Sequence, residues 1–219
     1  ITDPFVVQSK MIDLITAPLE KGRIEYDIFH NVVPDAPVDK IADGVKKFLS
    51  YQPEAVIAVG GGSAIDSSKA IREFALKINH YSDVGLIAIP TTSGTGSEVT
   101  QLAVITDKQA DKKIPLVDES LLPEMAVLSS ELTESVPPAV TADTGFDVLT
   151  HAVEGFTAAK AGAFTDLFAQ EAFRIAYGSL PASFAGRQEV RLKLHMASCM
   201  AGVAFSQAGL GLCHAMAHS

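Results

Sequence analysis

The C-terminal third of the chain carries residues whose types and spacing suit a metal ion. Asp147 and His151 stand four residues apart in TGFDVLTHAVEGF, and His214 and His218 repeat that spacing in LCHAMAHS. Residues four apart share one face of a helix, so each pair can bind one ion. An aspartate–histidine pair alone is also typical of a hydrogen bond or a surface ion pair. The second pair favours a metal because it lies in an apolar segment, where buried imidazoles need partners. A carboxylate with imidazoles suits Fe²⁺, Zn²⁺ or Mn²⁺.

A glycine run in the first half of the chain is suited to bind phosphate. The apolar strand AVIAVG (55–60) leads directly into Gly60–Ser63, and a predicted helix follows over 64–77. Unpaired backbone N–H groups at such a helix start attract an anion, and glycine lets the phosphate approach closely. Asp66 and Lys69, one turn apart, are expected on the helix face nearest that site. The alternative is that the glycines only make a tight turn, and the dinucleotide fingerprint G-x-G-x-x-G is absent.

A second loop of small residues, TTSGTGSE (91–98), follows another apolar strand, LIAIP (86–90). Its hydroxyls, among them those of Thr91, Thr92 and Thr95, can donate to phosphate or ribose oxygens. Ligands of open α/β sheets bind at the carboxyl ends of the strands, where the two loops are expected to be neighbours. Two such loops on one sheet edge favour a dinucleotide over a merely flexible loop.

Two kinds of structure must position these groups. Up to residue 137 the chain alternates between strand-like and helix-like runs, and strands without polar alternation indicate a parallel sheet covered on both faces. From Pro138 onward the chain is rich in alanine and has helical spacing throughout. Helices are predicted over 8–20, 38–50 and 64–77, and strands over 23–29, 55–60 and 86–90. We therefore expect an α/β domain over 1–137 and an all-helical domain over 138–219.

Composition excludes several classes of protein. The 219 residues include 17 basic and 26 acidic side chains, a net charge of −9, which argues against a nucleic-acid coat. Cys199 and Cys213 are too few for a disulfide framework and favour a reducing compartment. The charge-free stretch 196–219 is predicted to form two buried helices meeting at 208–211 rather than a membrane span. The chain lacks an initial methionine and closes inside a helical pattern, so we expect it to be part of a longer polypeptide.

Four segments coincide in order and spacing with one enzyme family. GGGSAIDSSK (60–69), AIPTTSGTGSEVT (88–100), TGFDVLTHAVE (144–154) and GLGLCHAMAH (209–218) closely resemble the iron-containing (group III) alcohol dehydrogenases. The segment 196–218 is especially similar to the 1-propanol dehydrogenases of propanediol-utilisation microcompartments. The resemblance implies a Rossmann-like N-terminal domain followed by an all-α metal-binding domain, the dehydroquinate synthase-like architecture, with the helical part incomplete.

The resemblance also implies roles for individual residues. Asp147, His151 and His214 match metal ligands, and a fourth ligand would lie downstream of Ser219. His218 matches a catalytic histidine near the nicotinamide, which relays a proton or positions the alcohol. A carboxylate at Asp3 would bind the adenosine ribose and favour NAD over NADP. The positions that match the family's cofactor contacts are Asp3, Gly61, Gly62, Ser63, Asp66, Thr91, Thr92, Thr95 and Lys113.

The function that follows is NAD-dependent interconversion of a short primary alcohol, such as 1-propanol, and its aldehyde. The implied cofactors are NAD(H) and Fe²⁺, with Zn²⁺ as the other candidate ion. The implied partners are the small substrate and further copies of the chain, as a homodimer or larger oligomer, with neither nucleic acid nor membrane. The implied location is the cytoplasm or a bacterial microcompartment, among its other proteins. The alternatives are a zinc polyol dehydrogenase like glycerol dehydrogenase, a dehydroquinate synthase-like enzyme, a non-catalytic paralogue and a metal-dependent hydrolase.

Overall fold

The computed structural model describes residues 1–79 and 84–217 of the chain. It has a Rossmann-like α/β part followed by an all-α part, as expected. The helices are α1 (Pro4–Gln8), α2 (Asp13–Lys21), α3 (Val38–Tyr51), α4 (Gly62–Asn79), α5 (Pro138–Thr157), α6 (Ala163–Phe184), α7 (Arg191–Ala208) and α8 (Leu212–Ala217). The strands are β1 (Ala55–Gly60), β2 (Gly85–Pro90), β3 (Leu102–Asp107), β4 (Lys112–Val117) and β5 (Met125–Ala126).

The parallel sheet has the order β1-β2-β5. Strands β1 and β2 pair in parallel from Ala55↔Gly85 to Gly60↔Pro90, so both end at the same level. The amide of Thr91 then continues the pairing by donating to the carbonyl of Gly60 at 3.0 Å. This register brings the loops that follow β1 and β2 to one edge of the sheet, as the sequence predicted.

Alternate residues of each central strand enter different hydrophobic cores. Ala58 of β1 and Leu86 of β2 pack in the core that α3 and α4 form on one face of the sheet. Val59 and Ile89 pack on the other face, in a core with Val6 of α1. Both faces are therefore covered, which explains why these strands contain no polar alternation.

Two sequence predictions in the N-terminal region were wrong in detail. Residues 24–33 form neither helix nor strand, because no strand among the described residues pairs with the segment 23–29. Its carbonyl at Phe29 accepts an isolated bond from the amide of Thr2. The helix predicted over 8–20 begins only at Asp13, because α1 ends at Gln8 and Lys10 adopts the left-handed conformation with φ of 62°.

The antiparallel hairpin of β3 and β4 was not predicted. The sequence KKIPLV of β4 has a proline at its centre, a residue that argues against a strand in a central position. Here Pro115 pairs with Val104 in a two-stranded ribbon, in which β4 pairs with β3 along one edge. Proline lacks an amide hydrogen, and this is tolerated at the other edge of β4. The hairpin carries Lys113 toward the sheet edge.

The helical part packs α5, α6 and α7 around a core of small side chains. Ala152, Ala172, Ala176, Ala197 and Ala201 are buried there, and such small residues let helix backbones approach closely. Helices α7 and α8 meet at residues 209–211, as predicted. The prediction that both are buried was wrong for α8, which has no buried residue and leaves Leu212 71% exposed. Throughout residues 1–79 and 84–217, no helix combines the length and apolarity needed to span a membrane.

Candidate metal centre and cofactor cleft

A cleft of about 1120 Å³ gathers the predicted site residues from both parts of the fold. It is lined by the glycine loop after β1, the loop after β2, the hairpin, α5 and α8. His218 lies outside the described residues, so its placement stays a prediction. Every other predicted site residue lines this cleft: Asp3, Gly61, Gly62, Ser63, Asp66, Thr91, Thr92, Thr95, Lys113, Asp147, His151 and His214.

The glycine loop and the second loop are in direct contact. A Cβ at Gly62 would lie 2.6 Å from the Cγ2 of Thr95, and one at Gly61 would lie 3.2 Å from the Oγ1 of Thr92. The close approach of the second loop therefore requires glycine at both positions. The absence of side chains there also leaves room for a phosphate. The first turn of the 18-residue helix α4 lines the cleft with Gly62 and Ser63, so its positive end is available to an anion.

Asp66 and Lys69 occupy different environments, although they were expected on one cleft-facing surface. The Asp66 carboxylate accepts hydrogen bonds from the Ser97 hydroxyl at 2.5 Å and the Val104 amide at 2.9 Å, and thereby ties α4 to the second loop and to β3. The expectation for Lys69 was wrong. Its side chain is fully buried, its Nζ donates to the Thr100 carbonyl at 2.7 Å, and burial lowers its pKa to about 8.

Two further carboxylates face the cofactor side of the cleft. Asp3 caps α1 by accepting the Val6 amide at 3.0 Å. Asp35, a cleft residue that the sequence analysis did not assign, has a φ of 66° and lies 3.4 Å from the Nζ of Lys113. Its amide donates to the Ser63 hydroxyl at 3.1 Å. Negative charge beside the phosphate-suited loop disfavours an additional phosphate group on a ligand bound there.

Three potential ligands converge where α8 meets α5. Asp147 and His151 are one turn apart on α5, and His214 reaches them from α8. The Nε2 atoms of the two histidines lie 3.6 and 3.5 Å from the same Oδ1 of Asp147. One donor atom from each residue falls within 4.8 Å of the others, and the imidazole rings stack with centroids 4.5 Å apart. A carboxylate and two imidazoles suit a divalent ion such as Fe²⁺ or Zn²⁺.

Both histidines are held through Nδ1 and turn Nε2 toward Asp147. The Nδ1 of His151 lies 3.2 Å from the carbonyl oxygen of Gly94, which can only accept, so the proton belongs on Nδ1. Burial lowers the pKa of His151 to about 4 and keeps it neutral. The Nδ1 of His214 lies 2.5 Å from Oε2 of Glu154. Hydrogen bonding to Asp147 raises the pKa of His214, with Glu154 adding to the effect.

Glu154 was missed by the sequence analysis. It lies on α5 three residues after His151 and seven after Asp147, a spacing that places all three on one helix face. Its side chain is buried, with 9% of the residue exposed. Burial acts to raise its pKa, but hydrogen bonds from His214, Gly211 and Cys213 lower it below the ordinary value. The i, i+4, i+7 spacing of Asp147, His151 and Glu154 could have placed Glu154 beside the ligands, although it does not indicate that its partner is His214.

The second loop connects the cofactor side to the ligand cluster. Besides the Gly94 carbonyl that holds His151, its Ser93 hydroxyl lies 2.9 Å from the Nδ1 of His195, a buried residue of α7. The backbone at Gly96 also approaches Gly202 of α7 closely. A shift of this loop would therefore alter both ends of the cleft.

Comparison with known proteins agrees with this geometry. The model of the iron-containing alcohol dehydrogenases matches residues 1–130, and the C-terminal model of that family matches 141–219. The 1-propanol dehydrogenase PduQ of Citrobacter freundii is 43% identical, over 100% of this chain and 59% of its own length. The NADPH-dependent butanol dehydrogenase of Clostridium saccharobutylicum is 39% identical over 94% of this chain and 57% of its own length.

Among solved structures, sulfoacetaldehyde reductase from Bifidobacterium kashiwanohense in complex with NAD⁺ is similar. It superposes with a TM-score of 0.89 at 34% identity, over 98% of this chain and 60% of that one. The chain thus spans about three fifths of the length of the relatives that it matches. Over both halves of its sequence, it belongs to the iron-containing alcohol dehydrogenase family.

Proposed function

We propose that this chain is an iron-dependent oxidoreductase that interconverts a short primary alcohol and its aldehyde with NAD(H). The observation that carries the proposal is the convergence of Asp147, His151 and His214 in the same cleft as the glycine loop. The similarity to a 1-propanol dehydrogenase and a butanol dehydrogenase supports a short-chain substrate, with 1-propanol and propionaldehyde as the first pair to test.

The ligand cluster fits a divalent ion. Each imidazole is held through Nδ1 and turns its Nε2 toward Asp147, which supplies negative charge. When bound, the ion supplies Lewis acidity toward the substrate oxygen, and the nicotinamide supplies the hydride chemistry. The chain's own part is to hold its three donors in place. Phe205 stacks on His151 at a centroid distance of 4.4 Å and limits the movement of that ring.

The cofactor side of the cleft fits a dinucleotide. We propose that Gly61, Gly62 and Ser63, at the start of α4, bind the pyrophosphate through backbone amides. We further propose that the hydroxyls of the second loop and the Lys113 ammonium donate to phosphate and ribose oxygens, and that Asp66 positions that loop. Asp3 would accept from the adenosine ribose and disfavour a 2′-phosphate, so we propose NAD rather than NADP. The second-loop residues concerned are Thr91, Thr92 and Thr95.

The remaining proposals concern organisation and setting. We propose a cofactor-binding domain over 1–137, a metal-binding domain over 138–219, and His218 as the residue that relays a proton or positions the alcohol. We also propose a homodimer or larger homo-oligomer. The proposed location is the cytoplasm or a bacterial microcompartment with its other proteins, and the identity to PduQ supports the latter.

The test is aldehyde reduction by the protein under anaerobic conditions, with and without Fe²⁺. We expect NADH-linked turnover of C2–C4 aldehydes that depends on the ion. The variant H214A should lose turnover and ion retention but retain NADH binding, because His214 lies in the ligand cluster. H30A, which replaces an exposed histidine outside the cleft, is the matched control. Turnover by H214A equal to that of H30A would refute the metal role.

A further inference from the structure

Glu154 links the two elements that carry the ligand cluster. Asp147, His151 and Glu154 belong to α5, whereas His214 belongs to α8, a helix of six residues. The relative position of the two helices therefore decides whether the His214 imidazole reaches the other donors. Glu154 is the residue of α5 that bonds to α8 at two separate atoms.

Each carboxylate oxygen of Glu154 has a different partner. Its Oε1 accepts the backbone amide of Cys213 at 2.7 Å, in the first turn of α8. Its Oε2 lies 2.5 Å from the Nδ1 of His214. A Cβ at Gly211 would lie 2.8 Å from Oε1, so the glycine before α8 leaves the space that the carboxylate occupies. One side chain thus sets both the start of the helix and the orientation of its imidazole.

The acceptor character of the carboxylate also determines the tautomer of His214. Both carboxylates beside the ring can only accept, and Glu154, 2.5 Å from Nδ1, is much nearer than Asp147, 3.5 Å from Nε2. The proton of a neutral imidazole is therefore held on Nδ1 and the lone pair on Nε2. That Nε2 faces the Oδ1 of Asp147 at 3.5 Å. The Gly94 carbonyl acts on His151 in the same way from the other side of the cluster. Acceptors behind metal-bound imidazoles commonly change metal affinity 10–100-fold, about the size expected here.

We propose that Glu154 is the positioning residue of the metal site. It selects the Nδ1–H tautomer of His214 and fixes α8 against α5, and this inference rests on the proposed metal-binding function. Glu154 itself is not a ligand in this assignment. Its effect reaches the ion through the His214 imidazole. Loss of the carboxylate therefore weakens ion binding even though Asp147, His151 and His214 are all still present.

Two substitutions separate the functions of the two oxygens. E154Q keeps the shape, and with its carbonyl at the Oε1 position it retains the bond from Cys213 while placing an amide donor against the His214 Nδ1. That donor favours the Nε2–H tautomer, whose lone pair lies on Nδ1 and not on the Nε2 that faces Asp147. E154A removes both bonds. The matched control is E73Q, because Glu73 is equally buried, with 8% exposed, and bonds to Ser120 at 2.7 Å outside the cleft.

The experiment titrates Co²⁺ alone into each protein by calorimetry and follows the cobalt absorption spectrum. Nuclear magnetic resonance of ¹⁵N-labelled histidines in the ion-free protein reports the His214 tautomer, at a pH above the pKa of that imidazole. We expect Kd for Co²⁺ to rise about 10–100-fold in E154Q and E154A, with a changed tautomer in E154Q and no change in E73Q. Circular dichroism checks that each variant is folded.

The outcomes separate the inference from the proposed function. Wild-type affinity in both E154Q and E154A would overturn the role of Glu154 and leave the metal site standing. An unchanged His214 tautomer together with wild-type affinity in E154Q would overturn the claim that Glu154 selects the tautomer, and would leave the metal site standing. A wild-type protein and an E73Q variant that bind no Co²⁺ would overturn the metal site, and the inference with it.

Discussion

The contact between α7 and the second loop provides a sharp test of how the cleft is assembled. Gly202 lies in the interior of α7 and faces Gly96. A Cβ at position 202 would lie 2.8 Å from the Cγ2 of Val99, 2.9 Å from the carbonyl oxygen of Gly96 and 3.0 Å from its Cα. Two of these three atoms are backbone and cannot rotate away. G202A must therefore displace the loop or the helix by several tenths of an ångström.

The magnitude follows from two opposing effects. Overpacking of this kind costs about 1–3 kcal/mol, while replacing glycine by alanine inside a helix gains roughly 1 kcal/mol at most. With the full gain, we expect a net loss of about 0–2 kcal/mol in the free energy of unfolding for G202A. The control is G178A in α6, where the new Cβ has no heavy atom within 4 Å and only the gain applies. Because both variants share that gain, they should differ by the overpacking cost alone, about 1–3 kcal/mol.

The assay is urea denaturation of both variants, followed by titration with NADH and Co²⁺. Because the displaced loop includes Thr95 beside the glycine loop and Gly94 behind His151, G202A should weaken the binding of both ligands. G178A should bind both like the wild type. Equal stability of the two variants would refute the packing argument. A destabilised G202A with unchanged binding would refute the claim that this loop supports both ends of the cleft.

Two further predictions concern titration and charge. Burial lowers the pKa of His195 to about 4, so the folded state requires the neutral form and stability is lost as the pH falls from about 6.5 toward 4. Between pH 8 and pH 5 the titration of His195 should lower the free energy of unfolding by about 2 kcal/mol. This pH dependence should be absent in H195Q and present in H30Q. Acid denaturation curves that run parallel for the wild type and both variants would contradict the prediction. D35N removes a cleft carboxylate that pairs with Lys113 and should strengthen NADH binding a few-fold, on the order of 1 kcal/mol, with a gain that shrinks in high salt. Fluorescence titration measures NADH affinity, with D43N, which removes an exposed carboxylate on α3, as the control. Weaker NADH binding by D35N would count against the charge argument.

Much of the site was predictable because its signals are local. A buried strand followed by small residues indicates a turn at a sheet edge, and the spacing of Asp147 and His151 places them on one helix face. The same locality explains the successes for α3, α4, β1 and β2, each of which carries its own periodic pattern. The segment 23–29 has a strand pattern as well, but a strand requires a partner strand, and within the described residues no ladder includes this segment.

The order of the motifs along this sequence determined the family, the two-loop cofactor side and the residue types of the ligand cluster. Tertiary structure alone decided what each side chain faces. Lys69 and Asp66 share a helix face, yet one is buried against Thr100 and the other ties two loops together. Glu154 meets His214 from 60 residues away, a contact that no local spacing encodes. The physical reason is that helix periodicity fixes direction around one axis, whereas the partner depends on how separate helices pack.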